Sequence, residues 1–172
     1  CLGEQYASKF DFKTTSLVNA LRSFFGGPFL IPKDMKDVEY LSKLFSKRYY
    51  NTNHSFESFE VVFVISFSAL MMSLTVHGNQ GNRRRNSNLT LETFSSRIRA
   101  IQSCESISAQ LIKQIYDDVL RVPVRSDRAW SLRNVVTFPI TSHISLVITR
   151  ELHSTDSIMT NTRTPTGTSK SF

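Results

Sequence analysis

The sequence predicts an all-α fold, and three observations carry that expectation. Apolar residues recur at three- and four-residue intervals in four stretches before Pro123. A fifth stretch there is apolar almost throughout and longer than an ordinary strand, and clusters of Gly, Pro and Asn punctuate the five. With 172 residues, the chain suffices for one hydrophobic core and is short for two full-sized domains.

The first stretch places Leu17, Val18, Ala20, Leu21, Phe24 and Phe25 on one helical face, with Ser16 as N-cap and Gly26-Gly27 as the stop. Pro28 and Pro32 then impose a stiff connection, since each ring fixes φ and removes an amide donor. Asp34 can cap the second helix, in which Met35, Val38, Leu41, Leu44, Phe45 and Tyr49 form the stripe and the chain breaks near Asn51–Asn53. The third, from about Ser58 to His77, reads as a helix buried on most sides. Its uncharged run Val61–Val76 covers sixteen residues, fewer than the roughly 20 of a spanning helix, which favours a core helix over a membrane anchor. A polar connection through Gly78–Asn82 and Arg83-Arg84-Arg85 follows. Leu91, Phe94, Ile98 and Ile101 mark the fourth helix. Ser106 or Ser108 opens the fifth, whose face carries Ile107, Leu111, Ile112, Ile115, Val119 and Leu120.

Beyond Pro123 the pattern changes. Val135, Val136 and Phe138, then alternating Ile144, Leu146 and Ile148, suggest short strands, and the last twenty residues are rich in Ser and Thr and poor in large apolar groups. Such a tail buries too little surface to offset the entropy of ordering it, so disorder is expected there.

The chain carries 21 Lys and Arg against 14 Asp and Glu, a formal charge of +7, with 20% charged and 40% hydrophobic residues. These values exclude an acidic disordered chain and a fibrous rod, and leave a mildly basic globular protein whose charge names no partner. Cys1 and Cys104 form neither a disulfide framework nor a zinc motif, consistent with a reducing, cytoplasmic setting. The absence of a leader pattern and of an initiator Met at Cys1 suggests a fragment. The glycosylation triplets at Asn53 and Asn88 are discounted, being common by chance.

Enzyme constellations are poorly represented: His54, His77, His143 and His153 have no paired metal spacing, no Ser sits in a nucleophile elbow, and no phosphate-cradling Gly loop occurs. No cofactor and no nucleic-acid partner are expected. Arg83-Arg84-Arg85 could meet phosphates or an anionic membrane, but a lone triplet in a loop is ordinarily a solvated charge run. Arg84-Arg85-Asn86-Ser87 also fits a basophilic kinase site.

Three consecutive stretches carry a resemblance. They contain Ala20-Leu21-Arg22 with Phe24, then Pro32-Lys33-Asp34-Met35-Lys36 followed by Phe45, Arg48, Tyr49 and Asn53. Met72-Ser73-Leu74-Thr75-Val76-His77 and finally Leu111, Ile115, Tyr116 and Val119 complete the set. In order and spacing this resembles the C-terminal half of a Sec7 domain, the right-handed helical array that promotes nucleotide exchange on ARF-family small GTPases. The resemblance implies a Sec7-like domain over residues 1–122 and a weakly structured tail over 123–172. It implies an ARF-family GTPase as partner, a role in ARF signalling and vesicle traffic without bond chemistry, and a cytoplasmic location with peripheral membrane contact left open.

The resemblance further implies an acid at Asp34 directed at the nucleotide, and a groove for the switch regions at Phe67, Leu70, Met71, Ser73 and His77. A carboxylate near the β-phosphate opposes the charges that hold the nucleotide. Two unit charges about 4 Å apart at an effective dielectric near 20 interact by roughly 4 kcal/mol, or about a thousandfold in a dissociation equilibrium. An exchanger must accordingly bind the empty GTPase better than the loaded one. Without the resemblance, Asp34 is a helix cap and Phe67, Leu70 and Met71 are core, and both readings stay open at this stage.

Departures from the family pattern are specific. Asp34 stands where the family has Glu, and Lys33 and Lys36 take its Gly and Gln positions, which blunts the repulsion. Ser73 and Leu74 replace the Asn and Thr of N-T-x-L-H, while His77 keeps its place. That Ser, together with Asn19-Ala20-Leu21-Arg22 followed by Phe24-Phe25 and an Ala-containing stretch before the final helix, resembles the branch attached to F-box proteins more than cytohesins, and raises an alternative: an adaptor that holds ARF without exchange and presents it for ubiquitination. Leu2-Gly3-Glu4 resembles the start of an internal helix, with Phe10-Asp11-Phe12 following sooner than the family spacing allows.

Overall fold

The structure, a computed structural model, describes residues 2–26, 34–77 and 89–124. Among these are six α-helices: α1 (Leu2–Ser8), α2 (Leu17–Phe25), α3 (Met35–Thr52), α4 (Phe59–His77), α5 (Leu91–Arg99) and α6 (Ala109–Arg121), with one 3-10 turn at Gln102–Cys104. The fold is all-α, as its periodicities require, and no strand occurs among the described residues. The strand pattern at 135–148, the Ser/Thr-rich tail, the Pro28–Pro32 connection, Arg83–Arg85 with Ser87, and Cys1 lie outside the described residues.

Helix ends follow the local chemistry. Asp34 caps α3 and Ser108 caps α6, where its hydroxyl accepts from the Leu111 N–H at 3.1 Å. Thr90 and Thr93 form a reciprocal capping box on α5. Ser16 precedes α2 in extended conformation but makes no side-chain cap bond. At the other end of α2, Gly26 donates to the Arg22 carbonyl at 2.7 Å, and a Cβ at this position would collide with that same oxygen, so the tight final turn requires glycine.

α3 and α4 form an antiparallel hairpin. Near the connecting loop the Lys47 ammonium lies over the Phe59 ring at 5.6 Å, and about a third of the way along the pair the Ser46 and Ser66 hydroxyls meet at 3.1 Å. At 1.5 Å per residue, Asp34 lies about 18 Å and His77 about 16 Å from that contact, both away from the loop. The N-terminus of α3 and the C-terminus of α4 therefore share one end of the hairpin.

α4 is the axis of the molecule. It is long and apolar enough to cross a membrane by length and composition, with a mean hydropathy of 2.0, yet every residue from Val61 to Leu74 is buried. It packs against α2, α3, α5 and α6, which is how a helix apolar on all sides is covered by the rest of the fold. On the α2/α3 side the core is largely aromatic: Phe12, Phe24 and Phe25 each pack against Phe45, with ring centroids 5.4 to 6.4 Å apart. On the α5/α6 side it is mainly aliphatic, built from Ile98, Ile112, Ile115 and Val119 beside the Phe94–Tyr116 ring pair.

Candidate functional site

Asp34 sits in extended backbone ahead of α3, where the first helical N–H groups have no intrahelical partner. Its Oδ1 accepts the Lys36 N–H at 2.9 Å, and the residue is exposed. Capping and exposure coexist: one oxygen serves the helix while the carboxylate as a whole faces outward.

The α4 residues are placed differently. Phe67 is 2% exposed, Leu70 0%, Ser73 3% and Met71 8%, and His77 is half-buried. Ser66, Leu70, Ser73 and His77 recur at i, i+4, i+7 and i+11 and so share one stripe. That stripe meets α3 at Ser66 and the end of α6 higher up. The Ser73 hydroxyl accepts the Val124 N–H at 2.9 Å, and His77 Nε2 lies 2.8 Å from the Val119 carbonyl. A carbonyl only accepts, so this nitrogen carries the hydrogen. Asp34 and His77 thus lie at one end of the hairpin, whereas Phe67 and Leu70 are enclosed by the chain itself.

Several residues in the recurring motifs do structural work that spacing alone did not disclose. Arg22 on α2 grips the end of α6: Nη2 donates to the Val122 carbonyl at 2.8 Å and the Asp118 carbonyl at 3.1 Å, and Nε to the Pro123 carbonyl at 3.4 Å. The same guanidinium pairs with both Asp118 carboxylate oxygens, at 3.2 and 3.3 Å. It serves the Val122 and Pro123 carbonyls just past the helix C-terminus and adds a second donor to the Asp118 carbonyl, which also accepts the Val122 N–H at 3.0 Å.

A second latch ties the Phe10–Thr15 segment to the end of α3. Arg48 Nε donates to the Phe10 carbonyl at 2.6 Å and the Tyr49 hydroxyl to the Thr15 carbonyl at 3.0 Å. Asn53 Nδ2 lies 2.9 Å from the Phe12 carbonyl, 3.2 Å from the Thr15 carbonyl and 3.1 Å from the Tyr49 hydroxyl. Its amide is buried and fully engaged, which is a physical reason that the Asn53 triplet does not read as a glycosylation site in the folded protein.

Two side chains have shifted ionisation. Burial pushes the Cys104 thiol up, against a smaller lowering from Ser103, which keeps it protonated and weakly nucleophilic. Burial likewise raises the Tyr49 phenol above its ordinary value of about 10, against a smaller lowering by the Asn53 hydrogen bond. An acid whose folded value is raised contributes stability fully present below the unfolded value and lost as pH climbs through the folded one. Urea midpoints are therefore expected to fall above about pH 10. In Tyr49→Phe that alkaline loss should be smaller, while stability at neutral pH drops by about 1 kcal/mol for the missing hydrogen bonds.

Among the described residues no group of three His, Cys, Asp or Glu side chains could hold a metal ion.

Comparison with known proteins gives a consistent result. The family profile of the Sec7 domain matches residues 2–124. The "Brefeldin A-inhibited guanine nucleotide-exchange protein 4" of Arabidopsis thaliana is 24% identical over 121 residues, covering 70% of this chain and 7% of that protein. The "ADP-ribosylation factor guanine nucleotide-exchange factor SEC7" of Saccharomyces cerevisiae is 22% identical over 115 residues, covering 66% of this chain and 6% of its own length. The chain thus spans a small part of these relatives. Among solved structures, the Sec7p catalytic domain superposes with a TM-score of 0.59 at 20% identity, over 70% of this chain and 62% of that one, a likeness that carries the fold.

Proposed function

The chain belongs to the Sec7 domain family, and from that premise we propose that it promotes guanine-nucleotide exchange on an ARF-type small GTPase in the cytoplasm, with Asp34 as the acid set against the nucleotide phosphates. The relatives are named as exchange factors, one of them for ADP-ribosylation factor, and family members act without making or breaking covalent bonds. The observation that carries the reading is the exposed Asp34 carboxylate at the N-terminus of α3. It is anchored by a hydrogen bond to its own helix and free to present charge outward. In this proposal the switch regions enter at the shared end of the hairpin, against Met71 and His77, with Phe67, Leu70 and Ser73 supporting that wall from within. Of residues 123–172, Pro123 and Val124 are tied to Arg22 and Ser73; the residues after Val124 are proposed as a tail separate from the exchanging domain, and peripheral membrane contact as the setting.

The engagement of Asp34 Oδ1 with Lys36, and of Ser73 with Val124, favours a second reading, the adaptor that binds ARF without exchange. Both meet one experiment, in which an ARF protein loaded with a fluorescent GDP analogue is mixed with the chain and release and binding are read in parallel. Asp34→Asn is the informative substitution, because Asn caps a helix as well as Asp does but carries no charge. Release is expected to slow about tenfold with binding retained, a fraction of the full Coulomb effect at 4 Å. Asp34→Glu is expected to speed release. Release unchanged by Asp34→Asn rejects the assigned acid, and binding without release in the unaltered chain selects the adaptor.

A further inference from the structure

We infer that Arg22 is a positioning residue for the partner-facing wall, setting the ring of His77 through the end of α6, an assignment that rests on the exchange reading above. The chain of contacts begins with Pro123. In a continuing α-helix the Val119 carbonyl accepts from the amide four residues on, and here that residue is a proline, which has no N–H. The carbonyl is thereby left for His77 Nε2, 2.8 Å away in the last turn of α4. One residue past the proline, the Val124 N–H donates to the Ser73 hydroxyl at 2.9 Å. The end of α6 thus hands one acceptor and one donor to α4.

Both contacts hold only while the chain from Asp118 to Val124 keeps its path, and past Arg121 that path is extended backbone. Arg22 is what ties it down from outside α6. Its guanidinium reaches the Asp118, Val122 and Pro123 carbonyls and the Asp118 carboxylate, on both sides of Val119, from a side chain only 21% exposed. A planar fork of five donors holds several oxygens at once, which an ammonium on a flexible stem does not. Arg22 is on α2 and acts on His77 through Val119.

What this clamp sets at His77 is a tautomer. A neutral imidazole has one N–H and one acceptor, so donation from Nε2 to the carbonyl leaves Nδ1 as the acceptor. His77 forms no other hydrogen bond among the described residues, and it is half-buried at the hairpin end it shares with Asp34. The wall therefore offers a lone pair at a fixed place, suited to an N–H or O–H donor of the GTPase. With the Asp118–Val124 chain loosened, the ring can exchange tautomers and turn, and that acceptor is no longer fixed.

The test uses the full chain, with Arg22→Lys as the main variant because it keeps the charge and is milder on the fold than Arg22→Ala. Proton–nitrogen correlation spectra at about pH 8, above the ordinary imidazole value near 6.5, read the two ring nitrogens of His77. They are expected well separated in the unaltered chain, with the hydrogen on Nε2, and drawn together in Arg22→Lys. Release of fluorescent GDP from an ARF-type GTPase is expected to slow about tenfold in that variant, the scale of one hydrogen bond lost across an interface, chiefly through a higher GTPase concentration at half-maximal rate. In a His77→Ala chain, Arg22→Lys should add less than about twofold, since the two act as one unit. Tyr49→Phe, which also costs stability but at the loop end of the hairpin, should leave the ring nitrogens and the release rate as they are. Ring nitrogens unchanged by Arg22→Lys, or an equal slowing with His77 already removed, overturns this inference and leaves the exchange reading standing. Slowing by Tyr49→Phe as large as by Arg22→Lys reduces the effect to stability and overturns it as well. No release by the unaltered chain rejects the exchange reading and the role of Arg22 in it together.

Discussion

Phe67→Ala is expected to destabilise the protein by about 3–5 kcal/mol, the range for removing an enclosed aromatic ring. Phe67 is 2% exposed and stacks against Phe63 with centroids 5.6 Å apart, one turn along α4. Neighbouring side chains of α4 are also enclosed, including Val64, Ile65 and Leu70 at 0% exposure. A ring removed from such a setting leaves a void that close-packed neighbours fill only in part. Against a total stability of about 5–15 kcal/mol, the loss is a large fraction of what holds the native state. Urea unfolding followed by far-UV circular dichroism measures it through the midpoint at constant slope. A change under about 1 kcal/mol, accompanied by lost binding to an ARF protein, would place Phe67 on the partner-facing surface instead of beneath it.

The same residue shows where a sequence stops being readable. The spacing of Leu17 to Phe25, Val38 to Tyr49 and Ile112 to Val119 gives the helices and their buried faces, because each has an apolar side and a polar side. α4 has no polar side, so its length and composition reveal a buried helix but not which of its residues meet which neighbour. In the sequence Phe67 and Leu70 therefore suit a groove and a core equally, and the structure shows both buried.

α1 shows the opposite limit. Its seven residues include a glycine and are too few for a period to emerge, so only the resemblance of Leu2-Gly3-Glu4 pointed to a helix there. What holds it is tertiary: Gly3 passes so close to α3 that a Cβ would approach Leu44 Cδ1 at 2.7 Å, and the Tyr6 hydroxyl reaches the Phe24 carbonyl at 2.7 Å. Asp34 was legible as a cap because a cap is a local device, with donor and acceptor two residues apart. Long-range polar latches leave no such trace. Arg22 and Asp118 are ninety-six residues apart in the chain, and nothing near either one announces the other.

That latch yields the other large effect. Arg22→Ala is expected to lower stability by about 2–4 kcal/mol, through the groups it abandons more than through the contacts it removes. The Arg22 and Asp118 side chains are 21% and 26% exposed, so the Asp118 carboxylate has limited access to water as a substitute. Arg121 also approaches Asp118, at 3.5 Å, but from a side chain 77% exposed, which makes it a weak replacement. The carbonyls of Val122 and Pro123 lose the Arg22 donor together, and that of Asp118 keeps only the Val122 N–H, at the point where Val124 is held against Ser73 and Val119 against His77. Fraying of the last turn of α6 should therefore spread to the C-terminal end of α4. Amide hydrogen exchange gives the decisive reading: in Arg22→Ala, protection is expected to fall at Val122 and Val124 and at the end of α6 before it falls in the Phe45 region. Arg22→Lys keeps the charge but not the fork that reaches several oxygens at once, so it should recover less than half of the lost stability. Full recovery by Lys would mean that charge alone holds α2 to α6 and that the carbonyl contacts add nothing.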